Sequence, residues 1–247
     1  MGNAARSAST FLTAGQHGSF GPAAPIFLPL TTDDRSMDIR SLRRDLETSL
    51  KQLLYDVGVP MVSPPHGTKR RILTEFASRY GTQTLVETGT FMGDMVERMR
   101  RSFRTVHSIE LSQPLHAQAT RRFAGVSNVH LHQGDSATVL PGVLADQRGP
   151  CLFWLDAHYS GGPTARAALD TPIMEELTLI FNHAIRGHVI LVDDARLFVG
   201  ADSYPTLEAL RTFVNEVRPD YEMTVKEDII RLVPTAAHGA SHAASAR

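Results

Sequence analysis

The chain has one cysteine, Cys151, so no intramolecular disulfide can staple it. That residue opens the apolar run CLFWL, where a buried, inert thiol is expected rather than a nucleophile. Long hydrophobic runs are also lacking: no stretch of about 18 apolar residues occurs, so no membrane-spanning helix is expected. The stretch FLTAGQHGSFGPAAPIFLPL is broken by Gly, Gln, His and Pro and has no continuous apolar core behind a basic start, so a signal peptide is not expected. Arg6 stands where a myristoylation site opening with Met1-Gly2 needs Ser or Thr. A cytoplasmic protein without a membrane partner is the expectation. Charge of one sign is missing too. Against 26 Asp and Glu there are 25 Lys and Arg, a formal net charge of −1, so no overall basic field recommends nucleic acid as a partner. What is there, 247 residues at 42% hydrophobic and 21% charged, can bury a sizeable core in one large domain, alone or with a small cap.

Residues 1–36 are rich in Ala, Gly, Ser, Thr and Pro without a period, and residues 235–247 are mainly Ala, His and Ser; both are expected to lack fixed structure. The spacing of Leu42, Leu46, Leu50, Leu53 and Leu54 predicts an amphipathic helix over about Met37 to Val57. The prolines of VPMVSPPHGTKRR make a loop, and a second helix runs from about Thr68 to Tyr80, stopped by Gly81. These helices, residues 37–80, are expected to cap a site or to form a dimer surface in a homo-oligomer. The main domain spans residues 81–234. Within it, apolar runs of strand length at Thr84–Thr88, Thr105–Leu111, Asn128–Gln133, Cys151–Ala157 and His188–Asp193 alternate with segments of helical period. That order predicts an α/β fold with a doubly wound, mainly parallel sheet covered on both faces. After a helix over about Tyr204 to Val217, YEMTVKEDIIRLVP predicts two closely spaced strands, Tyr221–Lys226 and Asp228–Val233, as a closing hairpin.

Ligands of doubly wound sheets bind outside the carboxyl ends of the strands, and here those ends are acidic. The first strand ends in Glu87 and the turn Gly89–Gly93, the second in Glu110, the third in Gly134-Asp135, the fourth in Asp156-Ala157-His158 and the fifth in Asp193-Asp194. The turn ETGTFMG is half of a dinucleotide fingerprint: GxGxxG requires glycine where Phe91 stands, and the next glycine comes only at Gly93. Taken singly, the glycines could serve only the turn and helix packing. Glu110 could bind ribose or end a strand in solvent. Asp135 could cap the helix that starts at Ser136. Asp193-Asp194 is harder to read as structure alone, because adjacent carboxylates repel unless a cation or donor compensates.

Together, Glu87-x-Gly89-x-x-x-Gly93, Glu110, Gly134-Asp135, Asp156 and Asp193-Asp194, followed by the hairpin, resemble the class I S-adenosylmethionine-dependent methyltransferases over about Thr68 to Val233. Within that superfamily the pattern is most similar to the metal-dependent O-methyltransferases of the catechol and macrocin type, which share the wide ExGxxxG turn. The resemblance implies a Rossmann-like, seven-stranded, mostly parallel sheet with a C-terminal antiparallel hairpin. It implies that Glu87 and the backbone of Thr88, Gly89, Thr90, Phe91 and Gly93 surround the amino-acid end of S-adenosyl-L-methionine. Glu110 would hold the ribose, and Gly134, Asp135 and Ser136 would border the adenine. Asp156 would lie beside the cofactor and, with Asp193 and Asp194, bind Mg²⁺ or Mn²⁺ to acidify the acceptor hydroxyl. A sulfonium cofactor has no pyrophosphate, so the middle glycine can be lost and Phe91 reads as an ordinary residue of a wider turn.

His158 is the candidate general base, acting beside Asp156; it could instead bind metal or substrate, or satisfy a loop carbonyl. The loop DAHYSGGPTARAALDTP, with Gly161-Gly162 as a hinge, is expected to shape the acceptor pocket, where Tyr159 could stack on a ring. Asp170 or Thr171 is expected to cap the next helix, with Pro172 in its first turn. Lys69, Arg70 and Arg71 beside His66 read as a solvated helix start rather than an anion-binding group. Arg196 could neutralise the acidic cluster or bind substrate, and Trp154 reads as core. The acceptor implied by the resemblance is a hydroxyl on a sugar or small natural product. A metal-independent methyltransferase using His158 and a non-catalytic Rossmann-fold binding protein are the alternatives. A nicotinamide oxidoreductase is disfavoured by the wide turn and the acids after the fifth strand.

Overall fold

A computed structural model describes residues 39–61, 63–156, 172–201 and 203–235. The sheet lies within the unit Arg40–Arg247. Seven strands form it: β1 (Thr84–Thr88), β2 (Thr105–Glu110), β3 (Val129–Gln133), β4 (Cys151–Leu155), β5 (Val189–Val192), β6 (Tyr221–Lys226) and β7 (Ile229–Pro234). Their order is β3-β2-β1-β4-β5-β7-β6. The first five run parallel, and β7 lies antiparallel to both β5 and β6. The order reverses between β1 and β4, and such a switch point opens a crevice at the carboxyl ends. The described helices are α1 (Ile39–Asp56), α2 (His66–Tyr80), α3 (Asp94–Met99), α4 (Gln113–Arg122), α5 (Ser136–Ala145), α6 (Ile173–Asn182) and α7 (Leu207–Val217).

Every residue of β4 and β5 is buried, as expected of strands covered on both faces. Successive residues supply opposite cores. Val86, Phe153 and Ile190 join Leu140, Leu177 and Leu210 on one side, while Leu85, Trp154 and Leu191 join Ile72, Val96 and Met99 on the other. Trp154 is core, as its run implied. Cys151 is buried as well, and burial pushes its thiol up to about 12, which leaves it inert at neutral pH. Among the described residues, no helix is long and apolar enough to cross a membrane. Along α1, Leu46, Leu50 and Leu53 are 70%, 54% and 59% exposed, so this apolar stripe is not covered by other described parts of the protein.

Several boundaries differ from the sequence-based expectation for local reasons. α2 starts at His66, two residues early, because extended Pro65 precedes it and its carbonyl accepts the Lys69 N–H at 3.1 Å. α7 starts at Leu207 rather than Tyr204, since the Thr206 hydroxyl caps it by accepting the Ala209 N–H at 3.0 Å. Pro172 stands at the N-cap of α6, one residue ahead of the first turn. β4 and β5 stop at Leu155 and Val192, and β7 runs over Ile229–Pro234. Past those ends, the Asp156 N–H still donates to the Thr88 carbonyl at 3.1 Å, and the Asp193 N–H to that of Leu155 at 3.0 Å. The acids therefore leave the strands while their backbones remain tied to the sheet edge.

Gly93 shows how tightly the first turn is packed. Its φ is +77°, and a Cβ added there would lie 2.7 Å from Cε2 of buried Phe123. Gly93→Ala is expected to lower stability by roughly 2–4 kcal/mol in urea unfolding, through left-handed strain and overpacking. Gly125→Ala is the control: its φ is +79° but the space around it is open, so only the backbone contribution of about 1–2 kcal/mol is expected. Equal losses in the two variants would show that Phe123 makes room.

Candidate active site at the strand carboxyl ends

Glu87 ends β1 with only 2% of its surface exposed. Its Oε2 accepts a short hydrogen bond from the Ser108 hydroxyl of β2, which lies 2.6 Å from the Thr90 hydroxyl. Burial, reinforced by Asp156 and Glu110 and opposed by Ser108, pushes Glu87 from its ordinary 4.5 up to about 8. This carboxyl is therefore largely protonated at neutral pH until a positive charge comes beside it. The turn that follows is sewn to β2: the N–H groups of Gly89 and Thr90 both donate to the Ile109 carbonyl, at 2.9 and 3.2 Å.

Phe91 is not the ordinary turn residue expected. Gly89, Phe91 and Gly93 all have positive φ, of +90°, +48° and +77°. The backbone thus keeps the left-handed step of a GxG turn at a position that lacks the glycine, against a steric penalty of about 1–2 kcal/mol. What holds it is Glu110, whose Oε2 accepts the Phe91 N–H at 2.8 Å while its Oε1 accepts the Ser112 N–H at 2.8 Å. The Phe91 ring remains 48% exposed.

Of the two readings of Asp135, the cap is the one observed: its Oδ1 accepts the N–H groups of Ala137 and Thr138 at 2.8 and 3.3 Å. Gly134 before it has a φ of +143°, and a Cβ there would lie 2.9 Å from Val139. Buried Ser136 opens α5. A residue missed from the sequence adjoins it. Glu176 of α6 is buried against Ser136 and Thr88, and burial pushes it up to about 7. Its Oε1 and the Thr88 hydroxyl make no well-formed hydrogen bond. The available signal was a carboxylate set in the buried stripe of Ile173, Leu177 and Ile180.

The ends of β4 and β5 bring three carboxylates together. Asp156, Asp193 and Asp194 each place an oxygen within 4.8 Å of the others. Asp194 is left-handed, with φ +56°, and its N–H donates to Asp193 Oδ1 at 2.9 Å. Among the described residues two cations meet them, Arg196 from just beyond Asp194 and Lys69 from a distant part of the chain. Arg196 Nη1 donates to Asp194 Oδ1 at 2.7 Å and also pairs with Asp228, so the neutralising reading of Arg196 is the one observed. Lys69 overturns the solvated reading of its basic triplet: it is 9% exposed, and its Nζ pairs with Asp193 Oδ2. Lys69 lies in the first turn of α2, a helix that packs on β4 and β5. Arg71 is solvated as expected. Burial and Asp156 push the Asp193 carboxyl up, against the pull of Lys69. His158, Tyr159, the Gly161-Gly162 hinge, Asp170 and Thr171 lie outside the described residues.

A seven-stranded sheet of this order, with its hairpin and with the acids gathered at one edge, is the class I methyltransferase fold. It is shared with an O-methyltransferase from Bacillus cereus solved in complex with SAH, at 17% identity and a TM-score of 0.52 over 76% of this chain and 99% of that one. It is shared too with TomG from Streptomyces achromogenes, an O-methyltransferase involved in tomaymycin synthesis and solved with SAM, at 20% identity and a TM-score of 0.51 over 76% of this chain and 88% of that one. No family model and no curated protein matches the sequence.

Proposed function

We propose that the protein transfers a methyl group from S-adenosyl-L-methionine to a hydroxyl oxygen with the help of a divalent cation. The observation that carries this reading is the approach of Asp156, Asp193 and Asp194 to within 4.8 Å of one another beside the Glu87 turn. Three carboxylates are a hard oxygen donor set suited to Mg²⁺ or Mn²⁺, and among the described residues Lys69 and Arg196 pair with two of them. A bound cation would act as a Lewis acid that lowers the pKa of the acceptor hydroxyl. Glu87 faces the cofactor's ammonium, Glu110 accepts from the ribose hydroxyls through its remaining lone pairs, and Gly134, Asp135 and Ser136 border the adenine. The reaction is an in-line displacement: the acceptor oxygen bonds the methyl carbon, the sulfonium bond breaks to a neutral thioether, and the hydroxyl proton passes to a base, His158 in this reading. By likeness to the macrocin type, the acceptor is a hydroxyl of a sugar or small natural product.

Isothermal titration with S-adenosyl-L-methionine, with and without Mg²⁺, tests the first half of the reading, and loss of turnover on chelation tests the second. Absence of cofactor binding at millimolar concentration would overturn the whole. One observation favours a metal-independent variant of the same chemistry: Asp193 and Asp194 already have cationic partners in Lys69 and Arg196. Turnover insensitive to chelators would select it.

Glu87 makes cofactor binding proton-linked. Its carboxyl is raised above 4.5 to about 8, so its contribution to stability is complete below pH 4.5 and is lost as pH rises through 8. A ligand ammonium beside it favours the ionised form. Binding at pH 7 is therefore expected to release about one proton, read from calorimetric enthalpies in buffers of different ionisation heat, and Glu87→Gln should release none. Equal release from both proteins would assign the proton to another group.

A further inference from the structure

Lys69 joins the acidic constellation from outside the βα units. It reaches Asp193 across 124 residues of sequence, from the first turn of α2. Its ammonium pairs with Asp193 Oδ2 and lies 5.7 Å from the centroid of the Trp154 ring. With 11% of the Lys69 side chain and 2% of the Asp193 side chain exposed, little water screens the pair. Arg196 is placed differently. It is 37% exposed at the side chain and shared between Asp194 and Asp228, so it belongs as much to the turn before β7 as to the triad.

We infer that Lys69 is a tethered counter-cation that holds Asp193 while no metal is bound, and that a divalent cation must displace it from Asp193 in order to use all three carboxylates. Resting on the reading of the triad as a metal site, this makes Lys69 a positioning residue that sets how weakly the metal binds. The physical reason is competition for one oxygen between two like-charged groups in a poorly screened site. In the ligand-free fold the ammonium relieves the repulsion among three close carboxylates. Once a dication takes over that task, the same ammonium becomes a repulsive neighbour that has to move. The aliphatic stem of lysine allows such a movement without a change in α2.

The test is Mn²⁺ binding by the full-length protein, read from the paramagnetic resonance signal of free Mn²⁺, together with thermal unfolding with and without Mn²⁺. Lys69→Met is expected to bind Mn²⁺ roughly tenfold or more tightly than wild type. Its metal-free unfolding temperature should fall, and Mn²⁺ should raise it by more than in wild type. Lys69→Gln, which keeps a hydrogen bond to Asp193 without the charge, is expected to tighten binding in the same direction and serves if the methionine variant fails to fold. Lys69→Arg should remain within about threefold of wild type, because the charge persists. A purely structural lysine would give the opposite result, since disordering Asp193 weakens metal binding. Equal or weaker Mn²⁺ binding by both neutral variants, with measurable binding by wild type, overturns the role of Lys69 and leaves the metal site standing. No Mn²⁺ binding by wild type or by any variant overturns both.

Discussion

Asp156→Ala is expected to lower turnover of a hydroxyl acceptor by about 10³-fold or more at saturating cofactor, which corresponds to roughly 4 kcal/mol of lost transition-state stabilisation. Among the three acids it is the one whose charge also raises the carboxyls of both Glu87 and Asp193. Its backbone N–H is tied to Thr88, so the alanine variant keeps the course of the chain and loses only a carboxylate. The measurements are kcat with a saturating acceptor and Mn²⁺ affinity in parallel. Turnover within about tenfold of wild type would rule out a catalytic contribution of this size from Asp156.

Glu110→Ala should have the largest effect on cofactor binding. Glu110 does two jobs with one carboxylate: in the proposed reading it accepts from the ribose, and in the structure it accepts the N–H groups of Phe91 and Ser112. Charge-assisted hydrogen bonds of this kind contribute about 1.5–3 kcal/mol each, so affinity for S-adenosyl-L-methionine should fall by roughly 100-fold or more. Two buried or half-buried N–H groups would lose their acceptor, and the left-handed Phe91 would lose its anchor, so stability should also fall by about 2–4 kcal/mol. Glu110→Gln, which keeps an acceptor oxygen for one of the two N–H groups, should lie between wild type and the alanine variant in urea unfolding. Cofactor affinity unchanged in Glu110→Ala would remove the ribose role, whatever happened to stability.

The acids at the strand ends were legible because a parallel βα repeat has a simple geometry. Each apolar run crosses the sheet in the same direction, so whatever follows each run arrives at the same edge. Chain direction therefore places Glu87, Glu110, Asp156, Asp193 and Asp194 at one edge, and the structure brings the last three within 4.8 Å. The hairpin was legible for a similar reason, since two strand-length runs joined by only a short turn must lie antiparallel. Asp135 was half legible: an Asp before a helix is a cap as readily as a ligand, and sequence alone does not separate the two.

Three features were not legible. Phe91 has a low intrinsic preference for positive φ, and the acceptor that helps to hold it there is supplied by Glu110 from the neighbouring strand. Glu176 sits in an otherwise apolar helix stripe, where nothing local says that Ser136 and Thr88 will be its neighbours. Lys69 belongs to a basic triplet that has every local reason to face water, as Arg71 does.

By itself the sequence determined the α/β class, the direction and edge of the sheet, and the row of acids along that edge, because periodicity and chain direction are local properties that a parallel repeat carries to a common place. The tertiary structure alone decided which charges meet that row. A contact spanning 124 residues, such as that of Lys69 with Asp193, depends on where a helix starts and how it packs on two strands, and no local spacing encodes either.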